Sequence, residues 1–567
     1  MNINRINKKL KKQFGGRVTA RLHNGCIYLT GELASWSDVI SACGTAAKRY
    51  SRVHVVNDIT FTGAQIPPAR LPRINDESLQ GDSPDVLVIG GGISGASIER
   101  ELTKWNIDVL LVDKEPDLAM QASGRNDGEV HPGVDLSRGS LKHHYVLRGN
   151  RMYQRVCEEL DVPFKRCGQY VGFTQGFGLP LIWLYALKKR FIDGVSDTRI
   201  VTVKKLKRAE PELNVDFKYA LYNPSAGCVC PYGLTIAYAE NAVSNGARVS
   251  LNTAVTGMEV SDSAVKAVYT NRGTLHPALV INAAGVFAEE IARMANDRFF
   301  SIHPRRGTNS ILDKQAGHLV RTIASVRRLS VSRTNTKGGG LLNTVHGNIL
   351  AGPDAVETYL RECTATSAQS IQVVFDKQQN TAPALKKADI ITYFTGTRAP
   401  TFEEDFIIER GRNTSNIIHC AGIQSPGLTT APAVAADIER LAVELLSKTR
   451  TLEPNPHYNP IRRGVPVVRD MAPAQRDALI RKNPDYGVIV CRCEEISRGE
   501  IIDALDSPVC VPTIDGVKKR VRPGMGRCQG GFCSPLVAQI ISEHLNIPLE
   551  QVKKSYDGAY IVCGAVK

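Results

Sequence analysis

The clearest pattern of apolar and polar positions along the chain begins at residue 85. Residues 86–89 are all apolar, and the glycine-rich turn 90–95 follows them directly. Residues 96–105 have the apolar spacing of a helix, and a second apolar run, 109–112, ends on an acid. Short apolar runs on either side of a helical segment are typical of buried parallel strands. The pattern therefore predicts a strand, a tight turn, a helix and a second strand.

The first sixty residues show a different pattern, in which apolar and polar positions alternate. Residues 18–30 alternate on both sides of Asn24-Gly25, a dipeptide typical of a two-residue hairpin turn. Ser37 is expected to cap a helix that continues to residue 49, and residues 52–61 are predicted to form another strand. The pattern predicts a small α+β module with a basic N-terminal tail.

Two segments rich in proline and polar residues, 63–84 and 449–484, are predicted to be linkers. They divide a chain of 567 residues, which is too long for a single core. The division leaves an N-terminal module, a long α/β region and a C-terminal unit.

The net charge of +15 is compatible with an anionic substrate, an acidic protein partner or anionic lipid. No stripe of basic residues interleaves with aromatic side chains, which argues against a nucleic-acid partner. No apolar run reaches the length of a bilayer, and the basic segment 1–13 lacks the apolar stretch of a signal peptide. We therefore expect a cytoplasmic protein, with a peripheral contact at the inner face of the membrane as an open alternative.

The turn 90–95 has the G-x-G-x-x-G spacing, and each part of it has a physical task. Gly90 permits the tight turn, Gly92 lets the backbone approach a pyrophosphate, and Gly95 lets the helix pack closely on the sheet. The helix N-terminus offers N–H groups to phosphates, and Asp113 can bind ribose hydroxyls. The combination predicts a dinucleotide site, although the motif alone does not decide between FAD and NAD.

Two later glycine turns, 280–285 and 419–428, each follow an apolar run, and the second opens a predicted helix at 429–446. A glycine-rich helix N-terminus of this kind can face the pyrimidine end of a flavin. The alternative is that both are ordinary strand–turn–helix connections without a ligand.

Four cysteines near the C-terminus, Cys491, Cys493, Cys528 and Cys533, form a C-x-C and a C-x4-C pair in short, glycine-bearing segments. Four thiolates suit an iron–sulfur cluster or a structural zinc. Zinc sites more often use C-x2-C pairs. The spacing therefore favours a 2Fe–2S cluster, with another metal as the alternative.

Residues 85–447 resemble the glycine oxidase/D-amino-acid oxidase superfamily of FAD enzymes, and within it the A subunits of anaerobic glycerol-3-phosphate dehydrogenase and the L-2-hydroxyglutarate dehydrogenases. The motifs that carry this resemblance include Ala122-Ser-Gly-Arg-Asn126, His131-Pro-Gly133, Ile281-Asn-Ala-Ala-Gly285 and Val345-His-Gly-Asn348. The cysteine-bearing segment resembles a BFD-type 2Fe–2S domain through Gly524-Met-Gly-Arg-Cys-Gln-Gly-Gly-Phe-Cys533. Residues 18–62 resemble, more loosely, a BON-type module.

The resemblance implies an α/β and α+β multidomain fold. A Rossmann-like FAD-binding domain would be discontinuous, built from 85–134, 221–300 and 396–448. A mainly antiparallel substrate domain would be inserted from 135–220 and 301–395. The small N-terminal α+β module would occupy 1–62, and a small helical iron–sulfur domain would occupy 485–567.

The resemblance also implies FAD and a 2Fe–2S cluster as cofactors. The residues that would contact FAD are Gly90, Gly92, Ile93, Ser94, Gly95, Asp113, Lys114, Ser123, Gly124, Arg125, Asn126, Ala284, Gly285, Gly422, Gly427 and Leu428. One departure concerns Asp127 and Glu129, because relatives usually have small or apolar residues there. These carboxylates would repel an anionic substrate unless arginines offset them, or unless they point away or pair with Arg125 or Arg138.

A flavin takes a hydride from a carbon that bears OH or NH while a base removes the proton of the heteroatom. His131 is the first candidate for the base or for orienting the substrate, and His346 is the second. Arg398 matches an arginine that in relatives often holds an anionic group, and Lys337 is a weaker candidate for the same task.

These expectations describe an FAD-dependent dehydrogenase of a small hydroxy compound, with the oxidation of sn-glycerol 3-phosphate to dihydroxyacetone phosphate as the first hypothesis. Electrons would pass through the cluster to a partner subunit or quinone, within an oligomer or hetero-complex. L-2-hydroxyglutarate or another 2-hydroxy acid, and an amine or amino acid, are alternative substrates. A non-catalytic electron-transfer subunit is the alternative from a different class.

Overall fold

A computed structural model describes residues 2–214, 216–327 and 339–564 of the chain. A parallel sheet carries the glycine-rich turn, a larger and mainly antiparallel sheet is inserted into its connections, and two smaller units pack against them. This mixture of α/β and α+β units confirms the predicted fold class.

The parallel sheet has six strands. In spatial order they are Arg248–Ser250, Val109–Val112, Val86–Ile89, Leu279–Asn282, Ile417–Ala421 and Ile407–Arg410. The first five run parallel, and the last pairs antiparallel with its neighbour. Both faces of the sheet are covered, which explains why its first two strands along the chain are apolar at every position.

One face of the parallel sheet packs against the helices Ile93–Leu102, Pro231–Ser244 and Gly427–Leu446. The other face packs against the helix Ala288–Met294 and a small antiparallel sheet of Val255–Ser261, Ala264–Thr270 and Gly273–Leu275. The first of these helices begins at Ile93 rather than at residue 96. Its first N–H groups therefore belong to the glycine turn itself.

The inserted sheet has nine strands. In spatial order they are Val356–Glu357, Arg305–Leu312, Ile349–Gly352, Gly340–Asn343, Ile323–Arg327, Gln169–Phe173, Tyr219–Asn223 and Arg199–Thr202, with Ile390–Arg398 also paired to Arg305–Leu312. Among the described residues, the pair formed by Ile323–Arg327 and Gln169–Phe173 is parallel and the other pairs are antiparallel.

One helix and a minor sheet lie on the chain segments between the two large sheets. The helix is Leu141–Glu159, and the minor sheet consists of Glu129–Val130, Gly227–Val229 and Phe164–Lys165. The helices Leu179–Phe191, Val203–Ala209 and Ala368–Gln379 connect strands of the inserted sheet. The minor sheet places residues 127–131 between the parallel sheet and the inserted sheet.

The N-terminal module contains Ile3–Phe14, Val18–His23, Cys26–Leu33, Trp36–Ala46 and Val55–Phe61. The predicted basic tail is in fact a helix, because Ile6, Leu10 and Phe14 recur at helical spacing and are buried. The second helix is capped at Ser35, not at Ser37, and ends at Ala46. The Glu403 carboxylate accepts a hydrogen bond from Val55 N at 2.8 Å and so joins the module to the larger domains. The BON-type resemblance of this module stays a prediction.

The C-terminal unit contains Pro473–Lys482, Ile489–Cys491, Ile496–Ser497, Arg498–Leu505, Ile514–Val521 and Ser534–Leu545. Lys519 and Arg520 both donate to the Asp117 carboxylate, at 3.0 and 3.3 Å, in the segment that leads to residues 119–126. The cysteine-bearing unit thus packs directly on the domain of the glycine turn. Within the described ranges, no helix combines the length and the apolar character needed to cross a bilayer.

Candidate cofactor-binding and active site

A cavity of about 830 Å³ lies between the glycine turn of the parallel sheet and the inserted sheet. Its size is in the range of sites that hold cofactors or small ligands. Residues from both large sheets and from the turn at 423–428 line it. A ligand in the cavity would therefore contact both domains.

The glycine turn is shaped for close approach of the backbone to a ligand. Gly90 has φ +116°, and a Cβ there would lie 2.5 Å from the Ala283 carbonyl oxygen. A Cβ on Gly92 would lie 2.9 Å from the Ser123 hydroxyl oxygen, and one on Gly95 would collide with the carbonyl of Gly90. Gly90 and Gly95 are thus required by contacts with the backbone, and the missing side chain at Gly92 makes room for the Ser123 hydroxyl beside the turn.

Polar groups surround this turn. The Asp113 carboxylate accepts hydrogen bonds from Gly91 N at 2.5 Å and from Glu115 N at 2.7 Å. Burial raises the pKa of Asp113 to about 6. The Ser123 hydroxyl accepts a hydrogen bond from Ile93 N at 2.8 Å, at the start of the helix. Asp113 stands at the end of the second strand, next to the glycine turn at which a helix begins. The residues therefore fit the adenosine diphosphate part of FAD.

Most of the residues predicted to contact FAD line the cavity. They are Gly90, Gly92, Ile93, Ser94, Asp113, Lys114, Ser123, Arg125, Asn126, Ala284, Gly285, Gly427 and Leu428. Gly95, Gly124 and Gly422 lie behind the wall instead. Gly124 faces the carbonyl of Ala119, and a Cβ on Gly422 would lie 2.9 Å from the carbonyl oxygen of Asp405. Their role is close packing of the backbone that supports the wall.

His131 lies on the cavity wall and is held on two sides. Its Nδ1 is 2.9 Å from Glu129 Oε1, and its Nε2 is 3.2 Å from the Ser425 hydroxyl. Glu129 also accepts a hydrogen bond from Gln169 Nε2 at 2.8 Å. This pairing assigns the Nδ1 proton to the bond with the carboxylate and leaves Nε2 as the nitrogen that can accept a proton.

Asp127 and Glu129, the two carboxylates that depart from the family pattern, both line the cavity. They do not pair with Arg125, whose guanidinium donates to the Met120 and Thr395 carbonyls. Burial, followed by the nearby Glu129, raises the pKa of Asp127. A shift in this direction favours the neutral acid and reduces the repulsion of an anion.

Arg398 contributes a cation to the same cavity. Its Nη2 donates to the Asp354 carbonyl at 3.0 Å, and the absence of a side chain at Gly307 leaves room for the guanidinium. Burial lowers the pKa of Arg398, but an arginine remains protonated at any physiological pH. A carbonyl cannot neutralise this charge, so the guanidinium suits an anionic group of a substrate.

Three further polar residues of the cavity had no signal in the sequence. Ser425 precedes a proline in the predicted turn, and Gln169 and Arg305 lie on strands of the inserted sheet. Arg305 is already paired, because its Nε donates to Glu357 at 2.6 Å and its Nη2 to Glu404 at 2.7 Å. Their positions depend on strand pairing over long sequence separations, which no local motif announces.

The structure does not place His346 in the cavity. The turn 344–348 faces the C-terminal unit, and burial together with Arg522 and Arg469 lowers the pKa of His346 well below its usual range. His346 does not line the cavity, and its role as a catalytic base stays a prediction. Lys337 lies outside the described residues.

The cysteine quartet consists of two pairs of thiols. Cys491 and Cys533 are buried and hydrogen-bonded to each other, whereas Cys493 and Cys528 are exposed, with their sulfur atoms 3.9 Å apart. In the described part of the chain, no three His, Cys, Asp or Glu side chains are grouped to hold a single ion. Two pairs of thiolates suit a binuclear cluster.

Backbone N–H groups surround these sulfur atoms. The bond with Cys533 and the N–H groups of Gly524 and Glu494 lower the pKa of Cys491 to about 6. Gly526 is required because a Cβ there would collide with the side chain of Cys493. Four thiols in two adjacent pairs, with the backbone in close approach, are what a 2Fe–2S cluster needs from its protein, so the residues fit this group.

Comparisons with known proteins agree with this geometry. A family model described as FAD dependent oxidoreductase matches residues 85–441, and one described as BFD-like [2Fe-2S] binding domain matches residues 489–543. The chain is similar to a glycerol 3-phosphate dehydrogenase of Caloramator mitchellensis, with 36% identity over 85% of this chain and 99% of that protein.

Two further relatives are more distant. Anaerobic glycerol-3-phosphate dehydrogenase subunit A1 of Haloferax volcanii is 25% identical over 84% of this chain and 86% of its own length. The solved structure of L-alpha-glycerophosphate oxidase from Mycoplasma pneumoniae, with FAD bound, has a TM-score of 0.61 and 24% identity over 67% of this chain and 98% of that one. At this identity the structural match supports the fold alone.

Proposed function

Because this chain belongs to the FAD dependent oxidoreductase family and carries a BFD-like [2Fe-2S] binding domain, we propose that it is a dehydrogenase of sn-glycerol 3-phosphate. The product would be dihydroxyacetone phosphate. Support for the substrate comes from the relative in Caloramator mitchellensis, which bears the name glycerol 3-phosphate dehydrogenase and aligns over nearly its whole length.

One observation in the structure carries the proposal. The same cavity contains a histidine that can accept a proton, His131, and a buried guanidinium without a carboxylate bonded to it in the described residues, Arg398. Oxidation of an anionic alcohol requires both a base for the hydroxyl and a cation for the anionic group. The glycine turn, which fits the adenosine diphosphate part of FAD, lines the same cavity.

When bound, FAD accepts a hydride from a carbon that bears a hydroxyl, and the cluster passes electrons on singly. The protein residues would prepare the substrate for this chemistry. Nε2 of His131 would take the hydroxyl proton, while Glu129 holds the ring through Nδ1 at 2.9 Å and stabilises the positive charge that results. Arg398 would bind the phosphate, and the raised pKa of Asp127 would weaken the repulsion between this carboxyl group and the bound anion.

Packing between the domains supports a relay of electrons from the cavity to the surface. Gly128, next to the cavity wall, accepts a hydrogen bond from Val229 N at 3.1 Å. Three residues further on, the Tyr232 hydroxyl lies 4.0 Å from Met525 Sδ in the cysteine-bearing loop. Cys493 and Cys528 face solvent, so a partner subunit or a quinone would take up electrons on that side.

The test is an anaerobic titration of the purified protein, followed by visible absorption. Glycerol 3-phosphate is expected to bleach the flavin band, whereas L-2-hydroxyglutarate, lactate and amino acids are expected to leave it oxidised. Bleaching by a 2-hydroxy acid instead would identify a different substrate for the same class of reaction, the oxidation of a hydroxyl group. A bound flavin that no member of the panel reduces would contradict the proposal.

An amine or amino acid is the second candidate, because Asp127 places a carboxyl group in the cavity where it could face a substrate ammonium. The two candidates differ in their dependence on this residue. Asp127→Asn should abolish bleaching by an amine, whereas it should preserve bleaching by glycerol 3-phosphate, since that reaction needs no negative charge there.

A further inference from the structure

The helix Leu179–Phe191 exposes an unusual number of large apolar side chains. Leu181, Trp183 and Leu184 are 65%, 53% and 58% exposed, and Phe177 and Phe191 at the two ends of the helix are 78% and 73% exposed. Soluble proteins rarely leave large contiguous apolar patches uncovered, and such patches mark sites of interaction. We call these five side chains the apolar face.

The apolar face is separate from the side of the helix that packs against the protein core. On the opposite side, Ile182 and Ala186 are buried against the inserted sheet. The Tyr185 hydroxyl donates to the Val134 carbonyl at 2.5 Å, and Lys189 Nζ donates to the Leu136 carbonyl at 2.5 Å. The helix is thus anchored on one side, and within the described residues it exposes apolar side chains on the other.

The segment of the chain that carries the apolar face is rich in basic residues. Residues 176–208 contain eight lysines and arginines but two acids, Asp193 and Asp197. Asp193 is paired with Lys188 and Lys189, and Asp197 accepts a hydrogen bond from Ser225 N. The following helix, Val203–Ala209, is reached through the strand Arg199–Thr202, which packs beside the apolar helix. Its exposed basic residues are Lys204, Lys205, Lys207 and Arg208.

We propose that the apolar face docks on the surface of an anionic lipid bilayer, with the helix lying in the plane of the interface. A helix with Trp, Phe and Leu on one side and lysines or arginines around them is the composition of interfacial helices. The basic residues favour this occupant over an apolar protein groove, because they would remain unpaired there, whereas anionic headgroups neutralise them. Trp183 is suited to the headgroup level.

Docking in this orientation would couple the bilayer to the cavity. Tyr185 lies on the same helix as Trp183 and lines the cavity, as does Leu136, whose carbonyl accepts the bond from Lys189. The docked helix would therefore hold one wall of the cavity beside the lipid. This inference concerns the surface and does not depend on the identity of the substrate.

The experiment is flotation of the intact holoprotein with vesicles. Two lipid compositions are compared, phosphatidylcholine alone and phosphatidylcholine mixed in equal parts with phosphatidylglycerol. The wild type is expected to float with the anionic vesicles, weakly with the neutral ones, and less at high salt. The triple variant Leu181→Ser/Trp183→Ser/Leu184→Ser should lose at least about tenfold in partition because three apolar insertions are removed.

Charge is tested separately by Lys204→Gln/Lys205→Gln, for which we expect a loss of about fivefold per charge on anionic vesicles alone. The matched control is Val373→Ser/Ile461→Ser, which removes two side chains that are 56% and 52% exposed elsewhere on the surface and should leave flotation unchanged. An unaltered flavin spectrum in every variant verifies that the fold is retained.

A direct readout comes from quenching of tryptophan fluorescence by brominated lipid. The quenched component should be present in the wild type and absent from Trp183→Phe, although Trp36 and Trp105 remain. Three results would overturn the proposal. In the first, the wild type floats with neither kind of vesicle. In the second, the triple variant floats as well as the wild type. In the third, the wild type is a dimer that does not bind vesicles, and the triple variant is a monomer.

Discussion

The pairing of Glu129 with His131 leads to the sharpest prediction about the reaction. Replacement Glu129→Gln preserves the size of the side chain and a neutral acceptor, but it removes the negative charge 2.9 Å from His131 Nδ1. Both side chains are largely buried, at 11% and 10% exposure, so solvent screens the pair only weakly. The substitution therefore isolates the charge from the geometry.

The magnitude follows from the cost of this one interaction. The gross Coulomb energy of two unit charges at this separation is about 6 kcal/mol at an effective dielectric constant of about 20, which is an upper limit. A hydrogen bond to a charged group contributes about 1.5–3 kcal/mol net. Because the imidazolium forms only as the hydroxyl proton is transferred, we expect the loss in the transition state, as a decrease of about 10- to 150-fold in the rate of flavin reduction.

The assay is anaerobic stopped-flow reduction of the bound flavin at saturating glycerol 3-phosphate. The rate should fall while the substrate concentration at half-saturation changes little. Glu362→Gln is the matched control, because Glu362 also lines the cavity but pairs with Lys114. An unchanged rate in Glu129→Gln, together with a slow His131→Gln, would refute the assignment of Glu129 as the positioning residue.

Three further predictions concern the anion anchor, the cluster and the dinucleotide end. Arg398→Lys should raise KM for glycerol 3-phosphate about 10- to 150-fold with a smaller effect on kcat, since a point charge replaces a fork that can donate two bonds; an equal loss with uncharged glycerol would argue against a phosphate anchor. Cys493→Ser should abolish reduction of an external acceptor but preserve bleaching by substrate, with the exposed Cys563→Ser as control; equal loss of both reactions would mean that the quartet only supports the fold. Because burial raises the pKa of Asp113 from 3.8 to about 6, the folded apoprotein binds this proton more tightly than the unfolded chain. The contribution of Asp113 to the free energy of unfolding is therefore largest below about pH 4, and it falls by about 3 kcal/mol as the pH rises through about 6. Urea unfolding should therefore show Asp113→Asn gaining stability relative to the wild type over this interval, and parallel pH profiles would contradict the shift.

Much of the dinucleotide site could be predicted from the sequence because its determinants are local. The apolar runs 86–89 and 109–112, the glycine spacing and Asp113 lie within thirty residues and impose their geometry through steric contacts and strand pairing. Even there, the helix starts at Ile93 because the glycine turn continues into it without a separate cap residue. The four cysteines were equally visible in the sequence, but the structure brings Cys491 beside Cys533 and Cys493 beside Cys528, which the short spacings do not announce.

The failures have a common cause as well. Ser37 was predicted to cap the second helix, but Ser35 occupies the N-cap position. Serine is favoured at this position in either case, so packing of the helix decides between the two. His131 and His346 each stand shortly before a glycine, Gly133 and Gly347, yet His131 lines the cavity whereas His346 lies near Arg522 and Arg469 of the C-terminal unit. The direction in which a hairpin points depends on the sheet that it joins.

The sequence by itself determined the fold class, the family and the glycine turn, because each is encoded by residue types at fixed short spacing. It also predicts the four cysteine ligands of the cluster. Only the tertiary structure decided that Gln169 and Ser425 join the neighbouring pair Glu129 and His131, since Gln169 is 40 positions from Glu129 and Ser425 is 294 positions from His131. The same holds for the exposed side of the helix Leu179–Phe191. A run of apolar residues predicts that the segment packs against something, but only the tertiary structure shows which of its side chains remain exposed.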